Sequence, residues 1–357
     1  MATTGGAADG GDLDRVLRVL AFQEAACQGS ASPLYTRILQ AVAADARGGG
    51  VCARVLAGRP EEPFGSALAL RFLAAVHRVV LDGRAPELAA FYPSVGGSND
   101  GDPGPAFMTT VQRHQAEVTR RTDDPVQTNE VGRSAVLVGG YAEVARRTLL
   151  PLRVLEVGAS AGLNLRWDQY AYVTAAGVSG DPVSPVRFEG VWDGAEPDLP
   201  PTFDIAERIG CDRQPIDATT ADGRLALMSF VWPDQLDRLA RLVAAVEVAR
   251  RVPAVVERAG AGDWVVARLA VPARGVATVV VHSIVMQYLP SDERERVVAT
   301  VRRAGRRASW QAPVSWLRME PAGERAELRL TTWPSGEDRV LATAGYHGQP
   351  IWWAPSS

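Results

Sequence analysis

The stretch LRVLEVGASAGLNL, Leu152 to Leu165, decides how this chain is read. Leu152 to Val157 is a short run of strand formers. It ends in a turn framed by Gly158 and Gly162, and the residues beyond predict the beginning of a helix. A strand, a glycine-rich turn and a helix together form either a buried structural unit or one suited to a ligand, since the missing side chains let a backbone approach and the first turn of the helix offers unpaired amides. Downstream, IAERIGCD and LALMSFVW read as buried strands or strand ends, with a polar hairpin from AYVTAAG and SPVRFEGVW before them. A long amphipathic helix follows in DQLDRLARLVAAVEVARR, then a strand in VATVVVHS, a helix starting near Ser291 and a strand in VSWLRME. AELRLTTW and EDRVLATAG flank a Pro-Ser-Gly turn and predict a terminal antiparallel hairpin. Strands alternating with helices imply a mainly parallel sheet from about residue 151 onward.

Upstream the texture is helical. Apolar residues recur at helical spacing from Leu13 to about Val80, with Ser32 and Pro33 placed as cap and first turn of one helix. The Gly/Pro-rich segment Phe91–Phe107 interrupts this pattern, and FMTTVQRHQAEVTRR resumes it. In PVQTNEVGRSA, Thr128 or Asn129 is the expected cap of the next helix. The domains expected are a flexible tail over 1–12, a helical cap domain over 13–124 that closes a substrate pocket, and an α/β domain over 125–357.

Composition removes several function classes. Of 357 residues, 38 are Lys or Arg and 41 Asp or Glu, for a net charge of -3, which supplies no field to gather nucleic acid. Every basic residue is arginine. Schiff-base chemistry and the P-loop both need a lysine amine and are therefore excluded. Cys27, Cys52 and Cys211 are too few and scattered for a disulfide framework, and His77 and His114 lack partners at metal spacing, so no metal is expected. MATTGGAADGGDLD carries no signal-peptide pattern, and Val276–Leu289 is too short and polar to span a bilayer. A cytoplasmic protein acting on a small molecule, without nucleic-acid or membrane partners, is the expectation.

With Glu156 two residues before the first glycine, VLEVGASAG resembles the first motif of class I S-adenosylmethionine-dependent methyltransferases, with Ser160 replacing the usual middle glycine. The resemblance implies a Rossmann-like, methyltransferase-like α/β fold and S-adenosylmethionine as cofactor, its amino-acid half wrapped by Glu156, Gly158, Ser160 and Gly162. A ribose needs a carboxylate at the end of the second parallel strand, for which Asp212 is the first candidate and Asp217 the second. VVVHSIVMQYLP is similar to the fourth strand of that fold. This places Ser283 by the cofactor, His282 as proton acceptor, and Tyr288 in the same cleft. The blocks PVQTNEVGRSA, LEVGASAGLNL, GCDRQPID, SFVWPDQ, VHSIVMQYLP, WLRME and LTTWPSG with YHG together resemble an actinobacterial family carried as a domain of unknown function. That likeness implies Asn129, Glu130 and Arg133 reaching over the cofactor mouth, with Arg133 clamping a carboxylate and Glu130 in a catalytic role.

Other readings stay open. The same sulfonium serves cyclases and aminocarboxypropyl transferases. Gly158 to Gly162 also spells the G-x-S-x-G elbow of α/β-hydrolases, with Ser160 as nucleophile, Asp234 or Glu320 as acid and His347 as base. Against the elbow, hydrolases lay down several strands first, and here the preceding 150 residues are helical. A noncatalytic ligand-binding protein is the third class.

Overall fold

The computed structural model describes residues 10–29, 32–59 and 66–354, and they form two compact units. One comprises the chain up to Thr128 together with Ala221–Leu239. The other comprises Asn129–Thr220 and Ala240 onward. The expected tail over 1–12 lies mostly outside the described residues, but its last three are helical. Asp12 accepts hydrogen bonds from Arg15 and from the Gly58 amide, which fixes the first turn of helix α1 (Gly10–Gly29).

The helical unit contains α1, α2 (Pro33–Arg47), α3 (Val51–Leu56), α4 (Ser66–Leu81), α5 (Pro86–Ala89), α6 (Gly104–Arg113) and α7 (Gln115–Thr122). The single helix expected over FMTTVQRHQAEVTRR is broken at His114, which leaves helical backbone geometry. A later segment, α9 in chain order (Ala221–Ser229), joins this unit. LALMSFVW is therefore a helix end, not the strand its apolar run suggests. Such short apolar runs carry no decisive period, and tertiary packing chooses between the two states. Asp234 stands just ahead of the helix that begins at Leu236. Its carboxylate accepts the Ser32 hydroxyl (2.7 Å) and the Leu34 amide (3.1 Å), so it caps α2 from 200 residues away.

The second unit is a mixed α/β structure. After helix α8 (Ser134–Thr148) come strands β1 (Leu152–Val157), β2 (Ala171–Thr174), β3 (Gly177–Gly180), β4 (Arg187–Glu189), β5 (Ile205–Asp212), β6 (Val255–Arg258), β7 (Ala277–Ser283), β8 (Val314–Ala322), β9 (Arg325–Trp333), β10 (Glu337–Ala344) and β11 (Ile351–Trp353). The central sheet has the order β11-β10-β9-β8-β7-β1-β5-β6. Pairings from β6 through β8 are parallel, and those from β8 to β11 are antiparallel. The terminal hairpin is thus β9–β10, extended by one further strand. The expected polar hairpin differs. β2 and β4 pair in parallel, and β2 forms its hairpin with β3, in a separate three-stranded sheet.

Helices α10 (Leu236–Arg251), α11 (Ala261–Arg268) and α12 (Ser291–Arg306) complete the crossovers. One face of the sheet buries Leu155, Val157, Ile209 and Val280 against Trp264, Val265, Val297 and Val301. Each such side chain contributes roughly 1.5–3 kcal/mol on burial. Strand order reverses between β1 and β7, because the chain runs outward to β5 and β6 before returning to the other side of β1. In open parallel sheets the crevice for ligands opens at that point, beyond the carboxyl ends of the strands.

Candidate functional site

At this reversal Glu156 lies between Gly210 of β5 and Val281 of β7. Gly210 is needed there, since a Cβ would stand 2.5 Å from that of Ala159 and push the turn away. Gly158, Ser160 and Gly162 have φ of +71°, +53° and +66°. The two glycines take this left-handed backbone without strain, whereas Ser160 is the one residue of the three that carries a Cβ there.

Most amides of the turn are engaged by the protein itself. Gly158 N and Ala159 N both donate to the Cys211 carbonyl (2.9 and 3.0 Å), Ser160 N to Asp212 Oδ2 (3.0 Å), Gly162 N to the Ala159 carbonyl (2.7 Å) and Leu163 N to Asn129 Oδ1 (3.0 Å). The helix expected after the turn is also replaced. Asn164–Gln169 is a kinked 3-10 segment, with Arg166 out of helical geometry. The buried Arg166 guanidinium donates to the carbonyls of Gly162 (2.7 Å) and Val252 (2.7 Å), which ties the turn down and diverts the chain. Arg166 is a site residue that the sequence reading missed. A charge within LNLRW, four residues after the glycine, is the signal for it.

Glu156 is 3% exposed, and its Oε2 accepts no hydrogen bond among the described residues. Burial, aided by the nearby charge of Asp212, pushes its carboxyl up to about 8, against the opposing pull of Arg133 and Arg166. Asp212, at the end of β5, accepts Ser160 N through one oxygen and Gln214 N (2.9 Å) through the other. Asp217 is exposed, and its carboxylate is engaged by the Thr219 amide (2.9 Å) and hydroxyl (2.6 Å), an Asx-type turn that also holds its carboxyl below the usual range.

The segment Asn129–Arg133 meets the turn. Besides Asn129 on Leu163, the Asn164 side chain donates to the Glu130 carbonyl (3.2 Å) and accepts from the Ser134 hydroxyl (2.8 Å). The cap is Glu130 rather than Thr128 or Asn129, since its Oε1 accepts Gly132 N (3.0 Å) at the start of the 3-10 turn leading into α8. Glu130 Oε2 lies 3.5 Å from His347 Nδ1. Arg133 is buried and donates to the carbonyls of Tyr346 (3.1 Å) and Ser283 (3.0 Å). The segments NEVGR, LEVGASAG, VHS and YHG therefore converge, although they lie far apart in the chain.

His282 is placed differently from the role expected of it. It is 1% exposed, with Nδ1 2.6 Å from Glu320 Oε1 and Nε2 3.0 Å from the Trp316 indole nitrogen. An indole N–H only donates, so Nε2 is the acceptor and the proton of the neutral ring sits on Nδ1, donated to Glu320. The basic nitrogen is occupied, and the ring acts as a strut between β7 and β8. Glu320 also accepts the Val285 (3.2 Å) and Met286 (3.4 Å) amides, which fixes the turn after β7, where Ile284 has φ +52°. Tyr288, 40% exposed, follows that turn. For the hydrolase reading, Glu320 thus serves His282 rather than His347, and Asp234 serves α2 in the helical unit.

Among the described residues no cluster of three or more His, Cys, Asp and Glu has the placement to hold a metal ion, and no helix is long and apolar enough to cross a membrane. Together the sheet order and the polar cluster define a mixed α/β protein with a buried carboxyl at the carboxyl edge of its parallel strands. The chain belongs to the DUF2332 family, described as an uncharacterized protein conserved in bacteria, whose model matches residues 18–353. No curated protein and no solved structure matches it.

Proposed function

We propose that this protein binds S-adenosylmethionine at the carboxyl edge of β1, β5 and β7, in a methyltransferase-like fold, and transfers its methyl group to a small-molecule nucleophile. The observation that carries this reading is Glu156. A buried carboxyl with an unpartnered oxygen at the strand-order reversal is a costly feature that a cationic ligand group relieves. The outward order β1, β5, β6 followed by the return to β7 and β8 supports the same reading.

The residues fit the ligand through side chains more than through the backbone. Glu156 would take the ammonium group. Asp212 would take the ribose hydroxyls, since each of its oxygens accepts one amide and retains a lone pair. Arg133 would place positive charge near the carboxylate. The amides of Gly158, Ala159, Ser160 and Gly162 are engaged within the protein and would supply shape rather than hydrogen bonds. When bound, the sulfonium supplies an electrophilic methyl group, and the protein's own contribution is positioning and exclusion of water. With Nε2 of His282 occupied, Glu130 and Tyr288 are the acid–base candidates. Calorimetric titration with S-adenosylmethionine and S-adenosylhomocysteine tests the reading. Saturable heat with the folded protein supports it, and a folded protein giving no heat with either ligand overturns it. Product analysis over a panel of acceptors then separates methyl transfer from cyclisation or aminocarboxypropyl transfer.

A further inference from the structure

The helical unit holds a second arrangement, independent of the carboxyl-edge cluster. His77 of α4 is fully buried, with Nδ1 3.2 Å from the Ser229 carbonyl and Nε2 2.8 Å from Ser94 Oγ. A carbonyl only accepts, so Nδ1 carries the ring proton. Nε2 therefore presents its lone pair, and the Ser94 hydroxyl must donate to it. This is the geometry of a nucleophile and its general base, with the base oriented by a third group, here a main-chain carbonyl. The other histidine held on both nitrogens, His282, has its lone pair blocked by an indole.

We propose that Ser94 and His77 form a nucleophile–base pair for acyl transfer, acting on activated esters or thioesters. Ser94 is half-buried in the 3-10 turn Pro93–Val95, so its hydroxyl sits at a boundary while the imidazole stays dry. Burial holds the imidazole down to about 4, which leaves the ring neutral at neutral pH with its Nε2 lone pair free for the Ser94 hydroxyl, and makes it a weak base. Beside it stand Tyr92, whose ring centroid is 5.4 Å from that of His77, and then Tyr35 and Trp232 in an aromatic chain. The hydroxyls of Tyr35 and Tyr92 are both buried and accept or donate no hydrogen bond among the described residues.

In the reaction Ser94 Oγ attacks the acyl carbonyl while its proton passes to His77 Nε2. The alcohol or thiol departs as its anion when the carbon–oxygen or carbon–sulfur bond breaks and takes a proton from solvent, leaving an acyl-serine and a protonated His77. Water entering on the Ser94 side attacks the acyl carbon and gives up a proton to solvent, and His77 Nε2 returns its proton to Ser94 Oγ as the acid is released. The amides following Ser94 are turned inward, with Val95 N and Gly97 N on the Tyr92 carbonyl (3.0 and 2.9 Å) and Gly96 N on the Pro93 carbonyl (3.0 Å). They are not available as an oxyanion hole, so the chemistry is confined to acyl donors with good leaving groups.

The test is incubation of the whole protein with a fluorophosphonate probe, followed by peptide mapping. Covalent addition on the Ser94 peptide, lost in Ser94→Ala with its helical circular dichroism intact, is the expected result. Mapping on the unsubstituted protein decides the matter even if that variant does not fold. Absence of Ser94 modification, or modification found on Ser160 alone, overturns the proposal. Both outcomes are independent of whether S-adenosylmethionine binds.

Discussion

Replacing Glu156 by Gln removes a titration without removing a side chain, and the consequence is calculable. A glutamate in water titrates near 4.3, whereas burial holds this one at about 8. Since the native state binds the proton more tightly than the unfolded chain, Glu156 imposes no cost below both values. Its cost grows as pH rises through the interval between them and levels off above the higher one. Each unit of separation corresponds to about 1.4 kcal/mol, so the full cost is on the order of 5 kcal/mol and that at pH 7 on the order of 3–4 kcal/mol. Gln resembles the protonated acid in shape and hydrogen-bonding capacity and has no charge to bury. Urea denaturation of both proteins at pH 5, 7 and 9 is the assay. Glu156→Gln is expected to be more stable at pH 7 and more so at pH 9, with the gap shrinking towards pH 5. A difference that does not change with pH, or a less stable variant at pH 9, would refute the claim that an ionised Glu156 is poorly accommodated in the empty protein.

The remaining expectations concern the turn and its supports. Gly158→Ala would place a Cβ 2.3 Å from Val285 Cγ2 at φ +71°, so overpacking and left-handed strain together cost about 2–4 kcal/mol. Gly336→Ala, at φ +75° in open space, costs about 1 kcal/mol. Chemical denaturation of the pair checks the difference, and equal losses would contradict it. Glu320→Gln replaces the charged acceptor of His282 Nδ1 and two amides, at about 1.5–3 kcal/mol for hydrogen bonds to a charged group. Trp316, bonded to the same imidazole, should report it as a change in near-ultraviolet circular dichroism, and an unaltered spectrum would remove His282 from its structural role.

The strand, the two glycines and the carboxylate at the end of β5 were legible because each follows from local chemistry: aliphatic runs make strands, and left-handed turns select glycine. Asp212 was readable despite the intervening small sheet, since a strand end can be recognised without knowing what precedes it. The 3-10 segment after the turn was not, because it depends on Arg166 reaching the carbonyl of Val252, 86 residues away. His282 was misread for a similar reason. A histidine after three valines looks like a base until Trp316 and Glu320 from the neighbouring strand occupy both its nitrogens. Ser94 went unmarked within a Gly/Pro-rich interruption, as its partner His77 lies on a helix and its orienting carbonyl comes from residue 229.

The central claim is that Glu156 awaits an ammonium group, and titration calorimetry at pH 7 in two buffers of different ionisation enthalpy tests it most directly. With its carboxyl held up to about 8, Glu156 is mostly protonated in the empty protein and must ionise to pair with a cation. Binding of S-adenosylhomocysteine, which shares the ammonium but lacks the sulfonium, should therefore release most of one proton per site, and Glu156→Gln should release none. Binding without proton release, or equal release in the variant, would contradict the claim.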